Sequence, residues 1–106
     1  STKSNSAWTV IAVPRRLDAE SAPAISAQTE QVIETNPRVV LDFHDTAFIT
    51  SAGLAVLVKL QKLAQARGGA LHLASCSADV VQVLRLVKLD RVLPMFPDVS
   101  SAQAAV

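Results

Sequence analysis

Short apolar runs alternate with segments of helical period along nearly the whole chain, and few architectures accept that order. Trp8 to Val13 is apolar and β-branched, and Pro14 ends or edges that strand. Asp18 stands as a helix N-cap with Glu20 in the first turn, and Ile25, Thr29, Val32 and Ile33 then fall near one face. Asn36-Pro37 stops this helix, because the residue before a proline disfavours helical geometry. Val39 to Phe43 reads as a buried strand broken only by Asp42, and Ala52 to Ala66 as a second helix closed by Arg67-Gly68-Gly69. Ala70 to Ala74 gives another strand. Ser77 or Asp79 opens a third helix carrying Val80, Val83, Leu84 and Val87. Leu93 to Phe96 is a short strand with Pro94 inside it, and Ser100 caps a small last helix over 101–106. Such alternation predicts a single α/β domain with a mixed, mostly parallel sheet. The functional edge of such a sheet is at the carboxyl ends of its strands, where the loops gather.

Composition narrows the function classes. The 106 residues suffice for one domain, expected as a flexible tail over 1–7 and the domain proper over 8–106. Aromatic residues are only 4% of the chain, so the core must be aliphatic. A net charge of +1 with no basic run gives nucleic-acid binding no electrostatic support. Apolar stretches fall well short of the roughly 20 residues that span a bilayer, and the polar start Ser1 to Ser6 carries no signal-peptide core. The expectation is no direct membrane binding. A single cysteine, Cys76, excludes an internal disulfide and fits a reducing cytoplasm; at the end of an apolar strand it reads as a small buried hydrophobe.

The chemistry concentrates where the strand over 39–43 leads into the second helix, at Phe48-Ile49-Thr50-Ser51-Ala52-Gly53-Leu54. Ser51 can cap the helix, and the positive end of the helix dipole at the same place favours an added phosphate. As a nucleophile Ser51 is poorly equipped, since the first glycine of a G-x-S-x-G elbow is missing and His44 and His72 show no triad placement. No catalytic residue is expected. Asp42, His44, Asp45, His72 and Cys76 lack any recognised ligand spacing, so neither metal nor cofactor is expected. A phosphoacceptor aspartate at Asp42 or Asp45 would need an acidic pair after the first strand, and Pro14-Arg15-Arg16 stands there instead. On a helical wheel Val56, Leu57, Leu60, Leu63 and Ala64 form a core stripe, with Lys59 and Lys62 in solvent. Leu54 and Val58 fall on a separate flank with Gln61 and Gln65, an apolar pair beside amides that reads as a docking surface next to the hydroxyl.

These residues resemble the STAS domains, in particular the anti-sigma factor antagonists of bacterial partner-switching systems. Leu17-Asp18 resembles the family's entry to its first helix, and Val40 to Phe43 followed by Phe48 to Leu54 is similar to its signature strand, loop and Asp-Ser-Ser/Thr-Gly-Leu motif. Arg67-Gly68-Gly69 with Leu71-His72-Leu73, and Leu89 to Phe96, resemble later segments, so the likeness covers residues 8 to 106. There are departures. Thr50 replaces the usual aspartate, Ala52 occupies the position beside the glycine, Arg15-Arg16 replaces a glycine before Leu17, and Lys88 stands where one is expected before Leu89. The resemblance implies phosphorylation at Ser51, with Thr50 in reserve. It implies a partner-binding face of Asp18, Thr50, Ser51, Ala52, Gly53, Leu54, Val58 and Gln61. The implied partners are an anti-sigma factor that is also a serine kinase and a metal-dependent serine phosphatase. A STAS subunit of an ABC-type lipid-trafficking complex is the alternative.

Overall fold

Four of the apolar runs assemble into one parallel sheet in the order β1-β3-β5-β6, built from β1 (Thr9–Ala12), β3 (Arg38–Asp42), β5 (Ala70–Ala74) and β6 (Met95–Phe96). This is a computed structural model that describes residues 7–105; apart from Ala7, the expected N-terminal tail lies outside the described residues. All strand pairings among the described residues are parallel, with Val39 opposite both Thr9 and Leu71. A second sheet of two short strands, β2 (Arg16–Leu17) and β4 (Phe48–Ile49), sits before the two longest helices. The sequence reading has no counterpart for this pair, because two-residue strands carry no periodicity.

Parallel strands require crossovers, and the helices supply them. α1 (Ala22–Thr35), α2 (Ser51–Ala66) and α3 (Ala78–Leu86) bury the alternate residues Ile11, Val39, Leu41, Leu71 and Leu73 in one aliphatic core. The short α4 (Val99–Ala104) covers the other face, where Trp8, Val40, Ala74 and Ala102 form a smaller cluster. His72 belongs there. Its ring stacks on Trp8 at 4.2 Å between centroids, and its Nδ1–H donates to the Ala102 carbonyl at 2.9 Å.

Several helix starts move from their expected places. α1 begins at Ala22, not at Asp18: the Asp18 carboxylate accepts from the N–H groups of Glu20 and Ser21 and closes a turn ahead of the helix. Pro23 then opens the helix, its fixed φ suiting a first turn. α3 is capped by Ser77, whose hydroxyl accepts from Val80 N–H at 3.2 Å. α4 starts at Val99 with Asp98 as the cap, and Ser100 lies inside it. Asn36 leaves the helical region ahead of Pro37 as expected. α2 ends at Ala66, and Gly68 beyond its Arg67 cap, with a φ of +84° and an N–H bond to Gln65, forms a Schellman closure completed by Gly69 N–H to Ala64.

The buried stripe of α2 is Gly53, Leu57, Leu60, Gln61 and Ala64, rotated from the expected one. Leu63 is 38% exposed and Gln61 only 3%. The cause lies in the sheet. β6 pairs only with Leu73 and Ala74 of β5, so the N–H and C=O of Leu71 on that edge have no strand beside them. Gln61 replaces the missing strand: its Oε1 accepts from Leu71 N–H at 2.8 Å, and its Nε2 donates to the Leu71 carbonyl at 3.0 Å and to the Val92 carbonyl at 2.8 Å. Lys59 does not simply point to solvent either. It reaches α1 to bond Glu30 at 2.7 Å and Ser26 at 2.9 Å.

Candidate functional site

The β2–β4 ladder places two separated sequence segments side by side. Arg16 lies opposite Phe48 and Leu17 opposite Ile49, and Thr50 N–H donates to the Leu17 carbonyl at 3.0 Å. The first turn of α2 is thereby pressed onto the strand that carries Leu17. Gly53 makes this possible, since a Cβ there would come 2.6 Å from the Leu17 carbonyl oxygen and 2.8 Å from its Cγ. Leu17-Asp18 and the glycine of the signature loop are thus two halves of one contact.

Ser51 is the first residue of α2 and is exposed, while Thr50 holds the N-cap position in extended geometry and is exposed as well. The expected cap is absent: no side chain of Thr50 bonds the helix start, in contrast with Ser77 and Asp98 on α3 and α4. The orphan N–H groups at this end concentrate the positive pole of the dipole beside the Ser51 hydroxyl.

Around this point, Ala52 and Leu54 are half-buried, as is Val58, and Leu54 packs against the core. Gly53 is buried and acts by closeness. Gln61, expected on the open flank, is engaged in the strand-edge bonds already described. Asp18 is half-buried with its carboxyl held below the usual range, chiefly by the Ser21 N–H, against the opposing effect of burial and with further help from Glu20 N–H and Arg16.

The sequence reading missed the neighbouring surface. Phe48 is 46% exposed, with the guanidinium carbons of Arg16 and Arg15 at 4.9 and 5.7 Å from its ring centroid. Phe48, Thr50, Arg16, Asp79 and Val83 line a cleft of about 320 Å³ between β4 and α3. In the sequence Phe48 stands between Ala47 and Ile49, so no local signal marked this surface.

His44 is exposed: its ring meets Asp45 at 3.1 Å, and its backbone N–H donates to the Asp42 carboxylate at 3.0 Å. Cys76 is half-buried, and burial, with the Asp42 charge adding to it, pushes its thiol up to about 12. Among the described residues no cluster of His, Cys, Asp and Glu is placed to hold a metal, and no helix is long and apolar enough to cross a membrane.

A strand–loop–helix junction with an exposed serine, set on a parallel sheet of this order, defines a small α/β domain. The STAS domain family matches residues 1–102, and the chain belongs to that family. The chain is similar in structure to an anti-sigma-factor antagonist (STAS) domain protein from Planctomyces limnophilus, at 26% identity and a TM-score of 0.79, covering 89% of this chain and 86% of that one. An anti-sigma factor antagonist from Mycobacterium paratuberculosis shares the fold at TM-score 0.84 and 24% identity, covering 95% and 86%. A sulfate transporter family protein from Wolinella succinogenes shares it at TM-score 0.74 and 16% identity, covering 93% and 84%.

Proposed function

We propose that the domain is an anti-sigma factor antagonist of a partner-switching pathway, acting by binding and controlled by reversible phosphorylation of Ser51. The observation that carries this reading is the exposed Ser51 hydroxyl on the uncapped first turn of α2. The partner is an anti-sigma factor with serine-kinase activity, its counterpart a metal-dependent serine phosphatase, and the place of action the cytoplasm. The binding face comprises Asp18, Thr50, Ser51, Ala52, Leu54 and Val58, with Gly53 and Gln61 holding it in shape. Phosphate adds about −1.5 to −2 charges at neutral pH. The helix N-terminus stabilises that charge within the domain, while an apolar contact forming beside it must desolvate it. Modification therefore favours the free domain over the complex.

Intact-mass analysis after incubation with the kinase and ATP tests the reading. One phosphate on the wild type and none on Ser51→Ala is expected, with Ser51→Asp reproducing part of the loss of affinity. Phosphate on Thr50 would move the acceptor by one residue. No phosphate on either would favour the role of a constitutive subunit in a lipid-trafficking complex.

A further inference from the structure

The large apolar side chains left exposed among the described residues are unevenly distributed. Phe48 is on β4, Leu86 and Val87 are at the end of α3 and Val92 follows shortly after, with Leu86 74% exposed; Val10 and Leu63 belong to β1 and α2. Both helices follow parallel strands and run in the same direction, so their facing sides form the two walls of a groove. At its upper end Thr50 and Val83 line one cleft with Phe48. At its lower end Gln61 donates to the Val92 carbonyl. Thr50, Leu54, Val58 and Gln61 step down one wall at helical spacing, and Asp79, Val83 and Leu86 step down the other.

The rim of this groove is basic at both ends. Arg15 and Arg16 stack over Phe48 at the top, and exposed Lys62, Lys88 and Arg91 stand toward the bottom. The acidic residues on the same rim are Asp79 and Asp90, while the Asp18 carboxylate is held by backbone N–H groups and pairs with Arg16 at 3.5 Å, which leaves Arg15 the freer cation at the top. A second copy of the chain fits poorly, since a two-fold contact through this face would set basic rim against basic rim.

We propose that the α2–α3 groove seats an acidic amphipathic helix of the partner, with its apolar face on Phe48, Val83 and Leu86 and its carboxylates on Arg15 and Arg16. This rests on the partner-binding reading above and adds to it the chemistry of the partner. Apolar anchors along a groove are the usual seat of such a helix. The cations at its ends give the direction of charge and speed the encounter. Ser51 lies one residue from the upper wall, so a phosphate there would repel the incoming carboxylates and compete for the two arginines.

The test is a titration of the isotope-labelled protein with a synthetic Leu/Glu amphipathic peptide of about five turns, followed by NMR and repeated with its Leu/Lys counterpart. Shifts confined to residues 15–16, 48–62 and 78–92 are expected, with the Lys peptide at least about tenfold weaker. Combined Arg15→Glu and Arg16→Glu should lower affinity for the acidic peptide by roughly tenfold and flatten its salt dependence. Leu86→Ser should weaken both peptides, and thermal melts of the free variants confirm that they fold. Equal affinity for the two peptides, shifts on another face, or light scattering that shows self-association through these residues would overturn the proposal. If the acidic peptide docks and Ser51→Asp leaves its affinity unchanged, the switch fails and the groove stands. If the kinase modifies Ser51 and the peptide does not dock, the groove fails and the switch stands.

Discussion

Gln61→Ala should be among the most damaging single changes in this domain, although glutamine is an ordinary surface residue. Its amide closes the N–H and C=O of Leu71, a residue with no exposed surface, and also holds the Val92 carbonyl. Val92 is 48% exposed, so its carbonyl can turn to water. The two groups of Leu71 cannot. Each unsatisfied buried group costs about 1–3 kcal/mol, so losing the partners of both should cost alanine roughly 2–6 kcal/mol. Against the 5–15 kcal/mol typical of a domain, that is about 10–30 °C of melting temperature. Gln61→Glu refines the test. The new carboxylate still accepts from Leu71 N–H, and when ionised it faces the carbonyls of Leu71 and Val92, so its folded pKa is raised. The unfolded chain then loses its proton first as pH rises. The variant should be closest to wild type near pH 4 and fall behind progressively as pH climbs above the ordinary glutamate value of about 4.3. Thermal melts at pH 4 and 7, with exchange of the Leu71 amide, measure both effects. A cost below about 1 kcal/mol for alanine, or equal losses for glutamate at the two pH values, would refute the missing-strand account.

Other changes probe the site and the ends of helices. Gly53→Ala should cost about 1–3 kcal/mol despite its better helix propensity, because its Cβ must displace the Leu17 backbone; chemical denaturation reads this, and a neutral result would mean that the α2–β2 approach is loose. Lys88 has a φ of +63° just beyond α3, so Lys88→Gly should raise stability by roughly 1 kcal/mol, a few degrees in a thermal melt. Asp18, Glu30 and Asp98 all have lowered carboxyl pKa values, set mainly by Ser21 N–H, Lys59 and Ser101 N–H respectively. Their contribution is complete above about pH 5 and is lost as pH falls through about 4 and below, so acid titration by circular dichroism should show destabilisation there that Asp18→Asn partly removes.

Much of this protein was legible from local chemistry. Apolar runs fixed the strands at 39–43 and 70–74 to within a residue, Asn36-Pro37 and Gly68 fixed two helix ends, and the hydroxyls beside Gly53 marked the start of α2. Those signals are local because backbone geometry and hydrophobic period are local. What the sequence could not decide is how elements far apart in the chain satisfy one another. The wheel placed Gln61 with the solvent-facing amides and Leu63 with the core, since periodicity ranks side chains by hydrophobicity and cannot see an unpaired strand edge ten residues later in β5. Ser51 was expected to cap α2. The contact of Gly53 with Leu17 sets where the helix begins, and the cap position falls to Thr50. The β2–β4 pair and the Phe48 surface between two arginines exist only because residues about thirty apart meet in space. Sequence by itself determined the order of elements and the place of the hydroxyl; tertiary structure alone decided which polar groups are buried, because burial depends on what lies across the interface.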